Sequence, residues 1–257
     1  MPKRIDQCFF SSFPKFAWFM RRYNLHPYNN RSTPAIFFGL YKKNRAVEAV
    51  RRHRGLAILV WRGSDIMSYD KRQLIDLSTP NVRHVAISEF IEHDLDKVGL
   101  PYISIPIIGS NIGGLQPCPL GNEVYAYAPT EEGCDPYNNE LVQRVAASCR
   151  FRVNVVTSPD QYSRDELIKL YSNSFIGLRL TSHDGIANQV IEMGLMGRRC
   201  IHNGHHPNAI RWRQYDDIMR IIEDEHIKIG QTNAAVSESV AAYVRIPDDW
   251  LNIDHWR

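Results

Sequence analysis

Short apolar runs rich in valine, isoleucine and phenylalanine alternate with segments of helical periodicity along most of this chain. A strand that helices cover on both faces of a parallel sheet reads as such a run, and the segment between two runs supplies the crossover helix. The clearest run is LAILVW at residues 56–61, which ends in the polar turn Arg62-Gly63-Ser64-Asp65. The alternation therefore predicts an α/β fold built on parallel strands.

A glycine- and proline-rich stretch interrupts this alternation in the middle of the chain. Residues 109–122 read GSNIGGLQPCPLGN and show no periodicity, which is typical of a linker. Before it we expect strands at 35–41, 56–61, 82–87 and 102–108 and helices at 44–53 and 89–98. After it we expect strands at 123–128, 151–157, 175–180 and 199–202 and helices at 139–149, 164–172, 186–196, 209–225 and 233–243.

Two domains follow from this linker. We predict an N-terminal domain at 1–110 and a C-terminal domain at 115–235. The tail at 236–257 contains Trp250 and Trp256, which a solvated tail would rarely contain, so we expect it to pack on the first domain.

Composition excludes several classes of protein. The 257 residues contain 31 Lys and Arg and 28 Asp and Glu, a net charge of +3, and the arginines are scattered among acids, so we expect no nucleic acid partner. Five cysteines without a C-x-x-C pair argue against a disulfide framework or a zinc ribbon. No apolar run reaches the length of a membrane span, and Pro14 and Lys15 interrupt the apolar start, so we expect a cytoplasmic protein.

Residues 163–203 carry most of the functional information. They predict a helix, a strand, a polar loop ending in Gly185, a second helix and a second strand. The free N–H groups of the second helix begin just after Gly185 and would bind an anion such as a diphosphate, with Asp184 at the entry as a possible N-cap. Glu192 lies eight residues after Asp184, at a distance from the helix start that suits a ribose.

This segment resembles the C-terminal domain of GT-B glycosyltransferases, and in particular the retaining glycosyltransferase family 4, of which the chain would be a short, divergent member. Asp184 and Glu192 fall on the two acids of the family's E-x7-E signature, with Gly185, Met193 and Gly197 in register. A weaker match in the first half places Ser88, Gly99 and Pro106 on the family pattern. Together the two matches cover roughly half of the chain.

The resemblance implies two Rossmann-like domains that face each other across a cleft, the first for an acceptor and the second for a nucleotide sugar. It implies a hexose transfer with retention, from a donor of the GDP-mannose or UDP-glucose type to a hydroxyl on a glycan or glycoprotein. It implies no metal and no other cofactor, although His202, His205 and His206 lie close in sequence, and a homodimer is possible. The catalytic residues would be Asp184, Arg179 and Arg62, and the donor-binding residues Gly185, Ile186, Ala187, Asn188, Glu192, His183, Thr157 and Ser158.

Two departures from the family keep an alternative open. The first acid is an aspartate, which is shorter than the usual glutamate, and the family's phosphate-holding Arg and Lys have no counterpart in residues 128–140. Arg179, Arg62 and His183 are the candidates to supply that positive charge. The alternative is a non-catalytic α/β protein that binds a nucleotide or a phosphosugar. A third possibility is an interaction protein that docks through its aromatic N-terminal region.

Overall fold

The computed structural model describes residues 4–10, 17–41, 45–129, 135–158 and 161–256. The chain divides into two compact units. The first consists of Met1–Asn111, Asp184–Ile186 and Val244–Arg257, and the second of Ile112–His183 and Ala187–Tyr243.

The first unit contains a six-stranded sheet in which all paired strands are parallel. Its strands are β1 (Gln7–Phe10), β2 (His26–Pro27), β3 (Ala35–Phe38), β4 (Ala57–Trp61), β5 (Val82–Ala86) and β6 (Tyr102–Ser104). They are arranged in the order β2-β1-β3-β4-β5-β6. Every residue of β3 and β4 is buried, which confirms the prediction that the run at 56–61 is an interior strand.

Four helices connect these strands: α1 (Ala17–Arg22), α2 (Ala46–Arg51), α3 (Lys71–Leu77) and α4 (Glu89–Val98). As predicted, α4 ends at Gly99, whose φ of 74° is the left-handed conformation that glycine adopts at a helix end. Four elements, β1, α1, β2 and α3, were not predicted from the sequence, and the strand that begins at Tyr102 is four residues shorter than predicted.

The second unit contains a five-stranded sheet, also parallel throughout. Its strands are β7 (Glu123–Tyr127), β8 (Val153–Val156), β9 (Ser174–Leu178), β10 (Arg199–Ile201) and β11 (Ala209–Ile210). They are arranged in the order β11-β10-β9-β7-β8, so β9 lies in the centre of the sheet.

Five helices complete this unit: α5 (Asn139–Ser148), α6 (Arg164–Asn173), α7 (Asn188–Leu195), α8 (Tyr215–His226) and α9 (Ala234–Tyr243). The predicted helix at 209–225 was wrong at its start, because Ala209 and Ile210 pair with β10 and the helix begins only at Tyr215. None of the described helices combines the length and the apolar character that a bilayer span requires.

The C-terminal residues pack on the first unit through their tryptophans. Trp250 and Trp256 are buried, and the Trp256 indole N–H donates to the Trp250 carbonyl at 2.7 Å. The Trp250 ring lies edge-on to Phe19 and Tyr23. The predicted tail at 236–257 is thus divided: α9 belongs to the second unit and the residues from Val244 belong to the first.

Candidate functional site

In the second unit, polar side chains follow the carboxyl ends of the central strands. Because the strands are parallel, these ends share one edge of the sheet, where α/β folds bind ligands. Arg179 comes directly after β9 and is only 8% exposed. Its guanidinium carbon lies 4.5 Å from the ring centre of Tyr127 and 5.2 Å from that of Tyr137. Two aromatic rings therefore hold this cation in place.

A histidine borders the same position. His202 follows β10, and its Nδ1 lies 3.2 Å from the Arg179 carbonyl oxygen. Its ring is 5.0 Å from that of His206. In the part of the chain that the structure describes, no three His, Cys, Asp or Glu side chains are grouped so as to hold a metal ion.

The N-terminus of α7 opens near this edge of the sheet. Its first helical hydrogen bond runs from the Ile191 N–H to the Ala187 carbonyl, so the N–H groups of residues 188–190 have no acceptor within the helix. The Asn188 Oδ1 is buried and accepts no hydrogen bond from the described residues. Asp184 was predicted as a possible N-cap, which is wrong, because the N-cap position is Ala187 and it makes no side-chain bond.

Glu192 lies on the second turn of α7, about 6 Å along the axis from Asn188. Its carboxylate is paired with Arg164, with 2.7 Å between Nη1 and Oε2. The two side chains differ in exposure: 4% for Glu192 and 37% for Arg164.

The position of Arg164 is set by the N-terminus of α6. It is the first residue of that helix, directly after Ser163, and Ser163 and Glu166 form a capping box there. Arg164 was not predicted from the sequence as a site residue. Its basic side chain after a capping serine was visible, but nothing in a local pattern indicates a partner 28 residues away.

Two buried tyrosines, Tyr125 and Tyr171, lie close enough to Glu192 to be affected by its charge. Burial raises the pKa of Tyr125 and of Tyr171, and the negative charge of Glu192 contributes to both shifts. Their rings meet edge to face, with centres 5.0 Å apart. Both phenols are neutral at physiological pH, so they can act as hydrogen-bonding groups without adding charge.

The other predicted donor-binding residues of the second unit lie in its loops. Thr157 and Ser158 follow β8, which is separated from β9 by β7. His183 closes a small turn in which the Thr181 hydroxyl donates to the His183 carbonyl at 2.8 Å. All three follow the carboxyl ends of their strands.

In the first unit, Arg62 follows β4 and is fixed by the turn predicted from the sequence. The buried Asp65 carboxylate accepts hydrogen bonds from the N–H groups of Leu40, Arg62, Gly63 and Ile66, at 2.9 to 3.2 Å. Burial raises the pKa of Asp65, against the opposing effect of these donors. Burial also lowers the pKa of Arg62, and Asp65 opposes that shift.

The segment Asp184–Ile186 packs against Arg62. A methyl group on Gly185 would overlap the Arg62 carbonyl oxygen, so only glycine fits there. The Ser88 hydroxyl donates to the Asp184 carbonyl at 3.1 Å. Ser88 and Gly185 are two of the residues on which the family resemblance rested, and here both hold this segment in place.

The predicted site residues therefore fall into two groups. Arg62, Asp184, Gly185 and Ile186 lie together in the first unit. Arg179, His183, Ala187, Asn188, Glu192, Thr157 and Ser158 lie in the second.

The chain folds into two Rossmann-like parallel sheets, as in the GT-B fold of the solved structures to which it is similar. No protein-family model matches the sequence, and no curated protein is significantly similar to it. Among solved structures, the chain resembles TarM at a TM-score of 0.59 and 10% identity, over 93% of this chain and 56% of that one. A TarM mutant from S. aureus in complex with fondaparinux, α-GlcNAc-glycerol and UDP gives a TM-score of 0.57, again at 10% identity, over 89% of this chain and 55% of that one.

The sucrose-phosphate synthase of Thermosynechococcus elongatus has the same fold. Its TM-score is 0.54 at 12% identity, over 90% of this chain and 72% of that one. The present chain thus spans little more than half the length of the TarM structures. These similarities establish the fold.

Proposed function

We propose that this protein is a retaining glycosyltransferase that moves a hexose from a nucleoside diphosphate sugar to a hydroxyl of a glycan or glycoprotein. The observation that carries the proposal is the group of Arg179, the open N-terminus of α7 and the buried Glu192 on the second unit's sheet. It combines a cation, a set of free N–H donors and a carboxylate in a fold of the glycosyltransferase type.

Each part of this group has a proposed partner on the donor. The N–H groups at the start of α7 and the Arg179 guanidinium would stabilise the diphosphate as negative charge develops on it. Glu192 would accept hydrogen bonds from the ribose hydroxyls, and Thr157 and Ser158 would contact the base. Following the resemblance, Asp184 would position the donor sugar and Arg62 would add positive charge.

The proposed reaction needs no metal and no separate general base. The bond between the anomeric carbon and the diphosphate oxygen breaks, and a bond to the acceptor oxygen forms on the same face. The acceptor's proton passes to the departing phosphate. TarM crystallised with UDP, so UDP-sugars are the first donors to test and GDP-mannose is the next.

Calorimetric titration with UDP and GDP tests the nucleotide site. We expect one of them to bind, and we expect Glu192→Ala to weaken that binding about 10- to 150-fold, equivalent to about 1.5–3 kcal/mol for hydrogen bonds to a charged group. Glu140→Ala, an exposed acid on α5, is the control and should bind as the wild type does. No binding of either nucleotide, or unchanged binding by Glu192→Ala, would contradict the proposal.

One observation favours the alternative, a non-catalytic nucleotide-binding protein. Both charged side chains of the group already have partners within the chain: Glu192 pairs with Arg164, and Arg179 stacks on two tyrosines. A protein that binds the nucleotide but neither hydrolyses nor transfers the sugar from any donor of a panel would support this alternative.

A further inference from the structure

The net charge of +3 conceals a strong asymmetry along the chain. Residues 1–54 contain 12 Lys and Arg but only 2 Asp and Glu, a net charge of +10, whereas the remaining 203 residues have a net charge of −7. Nothing in the proposed site uses this positive charge. We propose that it forms a binding surface for a linear anionic polymer, a glycan that carries repeated phosphate or sulfate groups.

The topology gathers six of these arginines at the amino edge of the first unit's sheet. Arg31 precedes β3 and Arg54 precedes β4, and these two parallel strands begin side by side, with Ala35 opposite Ala57. The helices α1 and α2 run back to this edge and carry the other four arginines. Two lie in the last turn of α1, one in the last turn of α2 and one directly after α2. We call this set the arginine edge; its members are Arg21, Arg22, Arg31, Arg51, Arg52 and Arg54, and all are exposed.

Arg31 and Arg54 are held side by side by the backbone. The Arg31 carbonyl accepts hydrogen bonds from the N–H groups of Arg54 at 2.7 Å and Gly55 at 3.1 Å. A methyl group on Gly55 would come within 2.8 Å of the Ser32 carbonyl oxygen, so the two segments are in close contact. The pair is therefore presented by a rigid backbone.

The buried Gln7 fixes the loop that carries Arg31. Its Nε2 donates to the Asn30 carbonyl at 2.8 Å, and its Oε1 accepts from the N–H groups of Asn29 and Asn30, each at 3.2 Å. Because this backbone is fixed before a ligand binds, little backbone entropy is lost on binding.

Few acidic residues lie in the segments that carry the arginine edge. Within residues 1–54 the acids are Asp6 and Glu48, and Glu48 pairs with Arg52 at 2.6 Å. Arg31, Arg51 and Arg54 form no ion pair with any residue in the described ranges. The C-terminal segment contributes two acids. The charge of Asp248 adds to the larger effect of burial in raising the pKa of Tyr23, and Asp249 pairs with His255 at 3.6 Å.

The chemistry of this edge favours an anionic glycan over other polyanions. Arginine binds phosphate and sulfate groups through two parallel hydrogen bonds. Binding of single-stranded nucleic acid usually adds exposed aromatic rings, and membrane insertion adds exposed apolar side chains. The large exposed apolar residues of the described chain are Met67, Ile75, Tyr162 and Ile227, and none belongs to the segments that carry the arginine edge.

Within the first unit, the arginine edge is separate from Arg62, to which the glycosyltransferase proposal assigns a role. Arg62 follows the carboxyl end of β4 and Arg54 precedes its amino end, with a strand of five residues, about 16 Å, between them. Binding of the polymer can therefore be measured without a nucleotide sugar, and its outcome does not depend on the glycosyltransferase proposal.

Fluorescence anisotropy with a labelled heparin hexasaccharide tests the surface, in salt from about 50 to 200 mM. We expect Arg31→Glu/Arg54→Glu to weaken binding at least about 10-fold and to reduce the slope of log affinity against log salt by about two, one for each lost contact. Lys71→Glu/Arg72→Glu on α3 changes the charge by the same amount at exposed positions and should weaken binding less than about 2-fold.

Thermal unfolding shows whether the variants fold. If the charge-reversed variant Arg31→Glu/Arg54→Glu does not fold, the neutral variant Arg31→Gln/Arg54→Gln takes its place in the experiment. Equal losses in the Arg31/Arg54 and Lys71/Arg72 variants would overturn the proposal, because the effect would then be one of net charge alone. So would tighter binding of single-stranded DNA or of phosphatidylglycerol vesicles than of the hexasaccharide, or binding that salt does not affect.

Discussion

The ion pair between Glu192 and Arg164 joins a buried acid to a base that reaches water. Removing Arg164 leaves a carboxylate enclosed without its cation, whereas neutralising Glu192 leaves a guanidinium that solvent can hydrate. We therefore expect Arg164→Ala to lower the free energy of unfolding by about 1–3 kcal/mol, less than for a fully buried pair, and Glu192→Gln by less than about 1 kcal/mol. Urea denaturation measures both.

A surface pair on the same unit provides the control for that prediction. Arg152 lies 3.3 Å from Glu123 and is 76% exposed, so Arg152→Ala should change the free energy of unfolding very little. Equal destabilisation by Arg164→Ala and Glu192→Gln would show that the difference in exposure does not govern the pair.

Arg179 is the second-unit cation that the proposed mechanism places on the diphosphate. If it stabilises the leaving diphosphate, Arg179→Ala should lower kcat about 100-fold. Arg179→Lys should restore activity only in part, since an ammonium lacks the guanidinium fork. Arg220→Ala, which removes an exposed arginine paired with acids on α8, is the control. Full activity of Arg179→Ala in a steady-state transfer assay would place the phosphate site elsewhere.

Among the loops, the Asp184–Ile186 segment depends on a single glycine. Because a methyl group at Gly185 would overlap a backbone carbonyl, Gly185→Ala must displace either this segment or Arg62. We expect a loss of at least about 2 kcal/mol in the free energy of unfolding, together with reduced transfer activity. Thermal and urea unfolding give the first quantity and the steady-state assay the second.

Gly114→Ala is the matched control for that substitution. A methyl group there meets nothing within 4 Å, so its cost is limited to the positive φ of 84°, about 1 kcal/mol. If the two glycine variants proved equally stable, the packing of Gly185 on Arg62 would not be what holds the segment.

The elements that the sequence predicted best are those whose burial is complete. The runs at β4 and β9 are apolar at nearly every position and buried at all of them, so composition alone revealed them. The missed helix α3 buries only Leu74 and Leu77 and exposes Ile75, which leaves no clear periodicity. Strand β11 has two residues and exists through its pairing with β10, which no local signal encodes.

The site could be predicted only where its residues are close in sequence. Arg179, Asn188 and Glu192 belong to one strand-loop-helix segment, and their spacing indicated a shared edge of the sheet. Arg164 was missed because its pairing with Glu192 depends on how α6 and α7 pack. Gly185 was predicted to open an anion site, yet its structural contact is with the Arg62 backbone, a contact between segments over 120 residues apart.

At the scale of the whole molecule, His84 makes stability depend on pH. The Trp61 indole N–H donates to His84 Nδ1 at 2.9 Å, so that nitrogen must be unprotonated, and Nε2 lies 2.8 Å from the Ser78 hydroxyl. Burial lowers the pKa of His84 from 6.5 to about 4. Between these values the unfolded chain binds a proton that the folded chain does not, so stability falls as the pH falls.

This shift corresponds to about 3 kcal/mol, fully present above pH 6.5 and lost progressively towards pH 4. Denaturation at a series of pH values should show the decline, which His53, whose pKa burial also lowers, will steepen. NMR titration of the His84 ring should show no protonation above about pH 5. A midpoint near 6.5 would contradict the inferred burial.

The net charge of the whole chain does not show how the charge is distributed along it. The net charge of +3 and the scattered arginines led to the expectation of no nucleic acid partner. Parallel topology nevertheless gathers the ends of successive strands and helices at common edges. Arg31 and Arg54, which are 23 residues apart in the sequence, thereby lie side by side.

The chain re-enters the first unit twice, at Asp184–Ile186 and again from Val244. Neither unit is therefore encoded by one uninterrupted stretch of the gene. A recombination event that replaced codons 112–243 would also replace the three codons whose residues pack on Arg62 and Ser88. The incoming segment would have to bring its own glycine for the Arg62 carbonyl, so evolution can exchange the second unit only together with this small part of the first.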